Sequence, residues 1–511
     1  MGLDSALSIA TGGLANISAQ FALVSQNVAN AGTPAYAVES SAQQDITADG
    51  QGLGVRTGPA TIQVDQALQA SLQQQNATVT GLTTTQTALQ SIDSVLGTVG
   101  QGNDLGSLLG TLQNQFSTLL TDPSSQTQQS TVVGAAATLA SGINNLSQAY
   151  SAQSQAVQND LVSAVGTLNT TLSTIGQLNT QIIAAQQAGR STADLQNQQN
   201  AAVQTLSGLT SIKTIQQPNG GILLVTTGGL SLPTNAGTTP FSIAGGSANP
   251  GAYYPGGGLP GVMLGGTDVT GSLTDGRIGA DLTLRDQTLP TGQAELDEFS
   301  ANLSSRFAGQ GLSLFTDPAG NVPSGGGTPV QAGYVGYAAT IQVNPQITAN
   351  AALVRDGTTS ITGSPTGASA FTPNPAGGPA GFTTLISRVI NNTFGNDVQT
   401  GVAQPVFNTA GLGAGGTLSA PFGSASSLAD YATDMIAAQS QQSAATSGSL
   451  TNEQAVQTGL VAQVTAQSGV NIDTELSNMI SLQNAYQANA HIIAAVQSMF
   501  SQLLTTVGTG A

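Results

Sequence analysis

Apolar residues recur at intervals of seven near both ends of the chain, with further apolar residues three or four positions on. This spacing places each series on one stripe of a helix, as at the a and d positions of a coiled coil. An ordinary buried helix in a bundle shows the same stripe, but its place at both termini favours helices that assemble. The predicted assembly residues are Leu3, Leu7, Leu14, Ile17, Phe21, Val24 and Val28 near the start, and Met479, Leu482, Tyr486, Ile493, Val496, Phe500 and Leu503 near the end.

The first helix is predicted to run from about residue 4 to residue 30. It is followed by Ala-Gly-Thr-Pro at 31–34, where Gly32 would provide a left-handed cap and Pro34 would prevent continuation. The glycine pair at 12–13 costs this helix about 1 kcal/mol per residue relative to alanine. The segment is therefore expected to need a packing partner.

Between the two ends, helical stripes alternate with extended, turn-rich stretches. Residues 36–64 are predicted to be extended, with a turn at 50–54 and with Pro59 at a strand edge or bulge. Residues 65–212 are predicted to form long helices with polar Gln, Ser and Thr faces, interrupted at 121–124 and 189–191. The remaining elements are a strand at 222–226, turn-rich stretches up to 271 and over 311–422, and helices at 276–307 and 427–464.

This order predicts a mainly α protein with β-rich insertions. The N- and C-terminal helices would pair as a coiled-coil-like assembly domain, a bundle of long helices would form the core, and the remainder would be turn-rich β segments. The assembly domain would comprise residues 1–35 with 473–511. The helical core would comprise 36–215 with 272–310 and 423–472, with 216–271 as its β-rich part, and the Gly/Pro-rich 311–422 region is a candidate for a small outer domain.

The composition excludes several classes of function. The 511 residues include 8 Lys plus Arg and 25 Asp plus Glu, for a net charge of −17. No basic patch can be assembled from so few cations, so neither nucleic acid nor an anionic membrane surface is an expected partner. The chain has no cysteine, which removes disulfides, thiolate nucleophiles and cysteine metal sites, and suits an extracellular protein.

The start of the chain does not resemble a secretory signal peptide. It has no cationic region, and Asp4 interrupts the apolar run. No window approaches 18 uninterrupted apolar residues, so a transmembrane helix is not expected. If the protein leaves the cytoplasm, we expect a route that needs no cleaved signal.

No group of residues predicts catalysis, a cofactor or a metal. His491 is the only histidine, and it lacks the nearby partners that a triad or a zinc site requires. The glycine clusters lack a following Lys-Ser or Lys-Thr, which excludes a P-loop. The densest acidic group lies at helical spacing beside arginines, so we interpret it as a solvated, ion-paired helix face rather than a catalytic pair. It comprises Asp281, Asp286, Glu295, Asp297 and Glu298 with Arg277, Arg285 and Arg306.

Two terminal motifs resemble those of the flagellar rod, hook and hook-associated axial protein family. Residues 25–36, Ser-Gln-Asn-Val-Ala-Asn-Ala-Gly-Thr-Pro-Ala-Tyr, are similar to the family's N-N-I-A-N-A-x-T-P-G-Y signature, and residues 476–490 are similar to its C-terminal motif. The matching positions are Asn27, Ala29, Asn30, Thr33, Pro34 and Tyr36, and Gln483, Ala485, Tyr486, Gln487 and Ala488.

The interior resembles the hook-associated branch of that family. Residues 276–290 are similar to its G-x-L-G-x-L-L-x-x-R-D-x-x-L-P segment, and residues 468–476 also match. The chain departs from the pattern at 197–200, where Asn-Gln-Gln-Asn replaces a charged run. A second departure is His491, which stands where the family usually has a cation after the C-terminal motif.

The resemblance implies a structural protein of the bacterial flagellum at the hook–filament junction, needed for filament assembly and motility and without enzymatic activity. It implies terminal helices that are disordered in the monomer and pair in the polymer. It further implies unfolded export by the flagellar type III apparatus, without a cleaved signal peptide. The implied partners are further copies of the chain, the hook protein, the next hook-associated protein and a flagellar export chaperone.

Three other interpretations remain. A distal rod or hook subunit is the nearest, and the long helical run over 65–212 argues against it. A secreted adhesin-like passenger would explain the low charge but not the paired terminal motifs. A peptidoglycan-cleaving enzyme would need a catalytic cluster that the sequence does not offer.

Overall fold

The computed structural model describes residues 2–48, 51–97, 102–325 and 327–508, and within these ranges the protein is mainly helical with small antiparallel sheets. The predicted fold class, mainly α with β-rich insertions, is confirmed. The helices are α1 Leu3–Ala29, α2 Gln66–Leu96, α3 Leu105–Thr121, α4 Gln126–Gln187, α5 Ala193–Leu209, α6 Gly276–Thr283, α7 Leu289–Gly309, α8 Pro345–Ala349, α9 Leu353–Asp356, α10 Thr384–Arg388, α11 Leu428–Ser468 and α12 Ile472–Gly508.

The strands pair in hairpins or three-stranded meanders, and all of the described pairings are antiparallel. The pairs are β1–β2, β9–β10, β11–β12 and β13–β14, and the meanders are β3–β4–β5 and β6–β7–β8. The strands are β1 Glu39–Ala48, β2 Gln51–Ile62, β3 Ile212–Gln216, β4 Ile222–Thr226, β5 Ser231–Leu232, β6 Phe241–Ser242, β7 Met263–Leu264, β8 Thr267–Asp268, β9 Phe315–Thr316, β10 Gln342–Val343, β11 Asp397–Gln399, β12 Val402–Ala403, β13 Ala410–Leu412 and β14 Leu418–Ser419.

The first helix ends where predicted but not by the predicted cap. Helix α1 ends at Ala29, and Asn30 caps it with φ −100° rather than in the left-handed region. Gly32 is not left-handed either; the left-handed residue is Ala35, with φ 61°. The amide of Thr33 donates to the Asn30 carbonyl at 2.9 Å. This tight turn satisfies a carbonyl at the helix end, so no left-handed glycine is needed there.

The β1–β2 hairpin contains the bulge that Pro59 predicts. Ser41 pairs with Ala60 and Gln43 pairs with Thr57, so Gly58 and Pro59 together oppose a single residue. A proline fits there because a residue in a bulge does not donate a hydrogen bond to the neighbouring strand, and proline has no N–H to donate. The predicted turn at 50–54 is wrong for residues 51–54, which lie in β2; Gly50 lies outside the described residues.

The long helix α4 connects two hydrophobic cores. Its 62 residues span about 93 Å at 1.5 Å per residue. The first core joins its N-terminal half to α3, α7 and the start of α11, and the second joins residues 161–175 to α5, α6 and strands β3–β6. The predicted breaks at 121–124 and 189–191 both separate helices in the structure.

The glycine-rich 311–422 region does not form a separate outer domain among the described residues. Its apolar side chains, including Leu314, Tyr337, Phe371 and Phe407, belong to the first core together with α3, α4 and α7. The region is therefore part of the helical core.

The predicted helix over 276–307 is continuous but changes pitch in its middle. Helices α6 and α7 are joined by one π-helical turn, residues 284–288. Pro290 follows in the first turn of α7. Because the preceding π turn interrupts the regular α-helical hydrogen bonds, a residue without a backbone N–H is tolerated there. Arg285 and Asp286 lie within this π turn.

Candidate assembly interface

Helices α1 and α12 pack against each other in antiparallel orientation. The amide of Val38, just after α1, donates to the carbonyl of Ser468, just before α12, at 2.7 Å. Further along, a Cβ added at Gly13 would lie 3.2 Å from Oδ1 of Asn489. Because the end of α1 meets the start of α12 while its middle meets the middle of α12, the two chains run in opposite directions. Helix α1 also packs on strand β2.

The predicted assembly residues divide into three groups in this pair. Three are buried: Ile17, Val24 and Val496. Eight are half-buried: Leu3, Leu7, Leu14, Val28, Met479, Leu482, Ile493 and Phe500. Phe21, Tyr486 and Leu503 are exposed.

Helix α12 also exposes large apolar side chains that sequence reasoning left out. Ile480 is 61% exposed and Leu504 is 69% exposed. Isolated exposed apolar residues are ordinary, but so many along one helix mark an interaction surface. The full exposed set on this helix is Ile472, Leu476, Ile480, Tyr486, Ile492, Met499, Leu503 and Leu504.

Asn27 and Tyr36, two residues of the N-terminal motif, tie the end of α1 to the hairpin. The Asn27 side chain donates to the Glu39 carbonyl at 2.9 Å, and its Oδ1 accepts from the Glu39 amide at 3.0 Å and from the Tyr36 hydroxyl at 3.1 Å. Burial, reinforced by the nearby Glu39 carboxylate, raises the pKa of Tyr36, so the phenol stays a proton donor.

Asn197 on α5 completes this connection from a distant part of the chain. Its Oδ1 accepts from the Ala37 amide at 2.9 Å, and its Nδ2 donates to the Ala37 carbonyl and to Oε1 of Glu39, both at 3.0 Å. Burial raises the pKa of Glu39. Sequence reasoning noted Asn197 only as a departure from a motif, since nothing local reveals a partner 160 positions away.

The other motif residues make few contacts in the single chain. Ala29, Thr33 and Pro34 are exposed after the helix, as are Gln483, Tyr486, Gln487 and Ala488 on α12, whereas Asn30 and Ala485 are half-buried. Asn30 donates only to the Gln26 carbonyl, one turn earlier in its own helix. His491 is likewise exposed on α12.

Of the eight charged residues predicted to form a solvated, ion-paired face, six are buried and Arg277 and Asp286 are half-buried, so the predicted solvation is wrong. On α6–α7, Asp281, Arg285, Glu295, Asp297, Glu298 and Arg306 are buried. Burial raises the pKa of Asp281 and of Glu295 to about 8 and that of Asp297 to about 7, and lowers the pKa of Arg306 to about 10. Asp297 and Glu298 find partners in other segments, whereas Asp281, Glu295 and Arg306 keep buried side-chain atoms without a hydrogen-bond partner.

Arg285 and Asp286 form a buried ion pair at the π turn. Nε of Arg285 donates to Oδ1 of Asp286 at 2.6 Å, and its Nη1 donates to the Pro260 carbonyl at 2.8 Å and to Gln158 at 3.1 Å. Nη1 thus holds α4 and the loop at Pro260 to the helix, while Nε and Nη2 bind the neighbouring Asp286.

Two glycines of the same 276–290 motif are required by close packing. Gly276 has φ +71°, and a Cβ there would lie 2.7 Å from the Leu209 carbonyl carbon. At Gly279 a Cβ would lie 2.2 Å from the carbonyl carbon of Thr274. The motif therefore reflects the crossing of α5 and α6 and the start of α6, rather than a ligand site.

Neither a metal site nor a decisive membrane signal is found in the described part of the chain. No group of three or more His, Asp or Glu side chains there could hold a metal ion. Helix α1 is long and apolar enough by length and composition to cross a membrane, a weak indication for a single helix near the N-terminus. The absence of a membrane span thus stays a prediction.

Comparison with known families adds to this geometry. The model of the flagellar hook-associated protein FlgK helical domain matches residues 89–316, from the middle of α2 to β9. Residues 89–316 are thus similar to the helical domain of the FlgK family. The C-terminal model of the flagellar basal body rod FlgEFG proteins matches residues 462–506, which include most of α12.

Comparisons with individual proteins are less extensive. No curated protein matches the chain. Among solved structures, the flagellar hook junction protein FlgK from Burkholderia pseudomallei is similar at 24% identity and a TM-score of 0.39, over 50% of this chain and 46% of that chain. The chain thus matches less than half the length of that protein.

Proposed function

We propose that this protein is a structural subunit of the bacterial flagellum that forms the junction between hook and filament. The family match over 89–316 supports the hook-associated branch. The observation that carries the proposal is the α1–α12 pair, which buries one apolar seam and leaves further large apolar side chains exposed on α12. Further copies of the chain would cover these side chains through heterologous contacts on a screw axis.

The predicted assembly residues and partners form part of this proposal. The seam residues from Leu3 to Val28 and from Met479 to Leu503 would carry subunit assembly, and the terminal helices would be disordered before it, since ordering is coupled to binding. The hook protein and the next hook-associated protein would be the axial neighbours. An export chaperone would hold the chain, which would leave the cell by the flagellar type III apparatus without a cleaved signal peptide. We expect no enzymatic role.

Deletion of the gene in the source bacterium tests the cellular role. We expect complete hooks without filaments in electron micrographs, and loss of swimming. Immunogold labelling should mark the distal end of the hook. Labelling along the rod or the hook would instead support the alternative of a rod or hook subunit, which the rod-type match over 462–506 keeps open.

Substitutions on α12 test the assembly surface. Ile480→Asp changes a side chain that is exposed in the single chain, so we expect motility to be lost while the thermal unfolding of the purified protein is unchanged. Phe500→Asp should act in the same way, with some loss of α1–α12 pairing. Ser481→Asp is the control, because its exposed neighbouring position adds the same charge outside the apolar set. Normal swimming of the Ile480→Asp strain would contradict the proposal.

A fragment of residues 36–472 tests the division into core and assembly helices. Both hydrophobic cores lie within that fragment, so we expect it to keep a cooperative melting transition by circular dichroism. Loss of the transition would show that the terminal helices are part of the folding unit.

A further inference from the structure

Three charged side chains form a cluster that joins α6 to α4 in the second core. Arg277, in the first turn of α6, pairs with Asp160 of α4: its Nε donates to Oδ2 of Asp160 at 2.8 Å, and its Nη2 donates to Oδ1. The side chains of this pair are 36% and 34% exposed. Asp281 follows Arg277 by four residues, so it lies on the same face of α6, beside the pair. The cluster thus contains two carboxyl groups and one guanidinium.

Asp281 is the member of the cluster that is fully enclosed. The residue is 1% exposed, and neither of its carboxyl oxygens accepts a hydrogen bond. Arg277 does not relieve it, because both of its hydrogen bonds to carboxylate go to Asp160. An ionised carboxylate without a donor is strongly unfavourable in the interior, and such a group takes up a proton instead. A protonated Asp281 then needs an acceptor.

Asp160 is that acceptor. Its carboxylate lies within hydrogen-bonding reach of the Asp281 carboxyl group across the contact of α4 with α6. The Arg277 guanidinium holds the pKa of Asp160 below its usual value, so Asp160 stays ionised. A carboxylate has roughly four acceptor positions, of which Arg277 occupies two. Asp160 can therefore accept a further hydrogen bond from Asp281.

The charges around Asp281 favour the same protonation state. Asp160 on α4 and Arg277 on α6 are the charged groups that act on it. Helices α2 and α5 also pack on α6, but within these described helices no charged group acts on this carboxyl. Burial, reinforced by the Asp160 carboxylate, raises the pKa of Asp281 to about 8. The two carboxyl groups are thus held in opposite protonation states at neutral pH.

The backbone beside Asp281 is too closely packed to let water in without opening. A Cβ at Gly276 would lie 2.7 Å from the Leu209 carbonyl carbon, and one at Gly81 of α2 would lie 3.2 Å from the Gly276 carbonyl oxygen. Helix α6 is therefore wedged between α5 and α2 at this end. A proton can still exchange with solvent through Asp160, which is half-exposed.

We propose that Asp281 holds a proton in the folded chain and shares it with the Asp160 carboxylate, and that this shared proton joins α6 to α4. When α6 opens, the proton passes to water and Asp281 becomes a solvated carboxylate. The contact is thus a pH-sensitive clamp that weakens as the pH rises. It lies in the core and does not depend on the proposed assembly role.

Hydrogen exchange of the full-length chain as a function of pH tests the clamp. Opening of α6 places Asp281 in water, where its pKa is near 4, so opening releases the proton. After correction for the intrinsic pH dependence of exchange, the opening equilibrium of the α6 amides should rise up to tenfold per pH unit between about pH 5 and pH 8. It should level off above about pH 8, where the folded chain has also lost the proton.

Three variants assign this rise to the two carboxyl groups. Asp281→Asn should abolish it, because the asparagine amide donates to Asp160 at every pH. Asp160→Asn should move the levelling-off down by about one pH unit, since it removes the neighbouring carboxylate and frees Arg277 to pair with Asp281. Asp275→Asn is the matched control, an exposed acid just before α6, and should change neither. An undiminished rise in Asp281→Asn, or an unshifted levelling-off in Asp160→Asn, would overturn the proposal.

Infrared difference spectra between the native chain and Asp281→Asn locate the proton directly. At about pH 6 the native chain should show the C=O stretch of one additional protonated carboxyl group, and at about pH 10 a carboxylate band should replace it. Glu295 and Asp297 are present in both chains, so their bands cancel in the difference. A carboxylate band already at about pH 6 would show that Asp281 is ionised in the folded chain, and the clamp would be rejected.

Discussion

Helices α7 and α12 both depart from the usual pattern of buried apolar and exposed charged residues, α7 by burying charges and α12 by exposing apolar side chains. Helix α7 buries fifteen of its 21 residues, including Glu295, Asp297, Glu298 and Arg306. Helix α12 has 37 residues, of whose described side chains only Glu475 and Val496 are buried. One helix thus places charges in the core, whereas the other presents isoleucine, leucine and methionine to solvent.

The difference lies in where each helix finds its partners. Two carboxylates on α7 find their partners in segments of the same chain: Glu298 accepts from the Tyr334 hydroxyl at 2.6 Å and from the Asn408 amide at 2.9 Å. Asp297 accepts from the amides of Gly336 and Ala338. Among the described residues, helix α12 packs mainly on α1, and its large apolar set stays exposed. Helix α7 is therefore covered within one subunit, and under the proposed function the terminal pair is covered only by other subunits.

The strongest test on the core side is Glu298→Ala. The change leaves the buried Tyr334 hydroxyl and the partly buried Asn408 amide without this acceptor, so we expect the free energy of unfolding to fall by about 3–5 kcal/mol. Urea unfolding followed by circular dichroism measures it. Asp397→Ala removes an exposed carboxylate and should stay within about 0.5 kcal/mol. A loss below about 1 kcal/mol for Glu298→Ala would mean that this carboxylate does not organise the core.

Core stability should also fall as pH rises through the neutral range. Folding raises the pKa values of Asp281 and Glu295 to about 8 and that of Asp297 to about 7. Between the unfolded pKa near 4 and these values, the folded chain binds more protons than the unfolded chain, so the free energy of unfolding decreases with pH. Each group contributes up to about 1.4 kcal/mol per pH unit.

Neutral isosteres identify the groups responsible for that slope. Asp281→Asn and Glu295→Gln should each flatten the decline between about pH 5 and pH 8, as measured by urea unfolding at several pH values. The 36–472 fragment should keep the slope of the full chain, since all three carboxyl groups belong to the core. If the pH dependence disappeared when the terminal helices are removed, the groups responsible for it would lie in those helices and not in the core.

Asn27→Ala tests the connection between the two regions. The substitution removes three hydrogen bonds to Glu39 and Tyr36, and we expect it to destabilise the attachment of α1 by about 1–3 kcal/mol. Hydrogen exchange of the assembled protein should show lost protection in α1 with unchanged protection in α4. The matched control is Asn30→Ala, which removes a bond to the Gln26 carbonyl and a long bond from the Thr33 hydroxyl, both within four residues along the chain. Equal effects of the two substitutions would contradict a specific role for Asn27.

The smallest expected effect distinguishes two neighbouring glycines in α1. A Cβ at Gly12 meets nothing within 4 Å, whereas one at Gly13 lies 3.2 Å from Oδ1 of Asn489. Gly12→Ala should therefore stabilise α1 by about 1 kcal/mol through helix propensity. Gly13→Ala should gain less, because the Asn489 amide must move. Helicity and melting of the assembled protein measure both, and an equal gain would mean that α1 and α12 are not in close contact at Gly13.

Local features of the fold were predictable because each depends on a short stretch of sequence. The helical stripes fixed the helices from α1 to α7 and α11, and the Pro59 bulge followed from the missing N–H of proline. The terminal motifs at 27–36 and 483–488 indicated the axial protein family before any packing was known. Strand β3 was missed because its five residues follow a helix without a turn signal.

The sequence by itself determined which segments are helical, where most of them end, and which family the chain resembles. Only the tertiary structure decided that the charges of α7 are buried, that the 311–422 region belongs to the core, and that Asn197 joins α5 to the first hairpin. The physical reason is the separation along the chain of the residues that interact. A helical stripe depends on residues three and four positions apart. The partners of Glu298 lie 36 and 110 positions away, and burial is set by what folding brings to a residue.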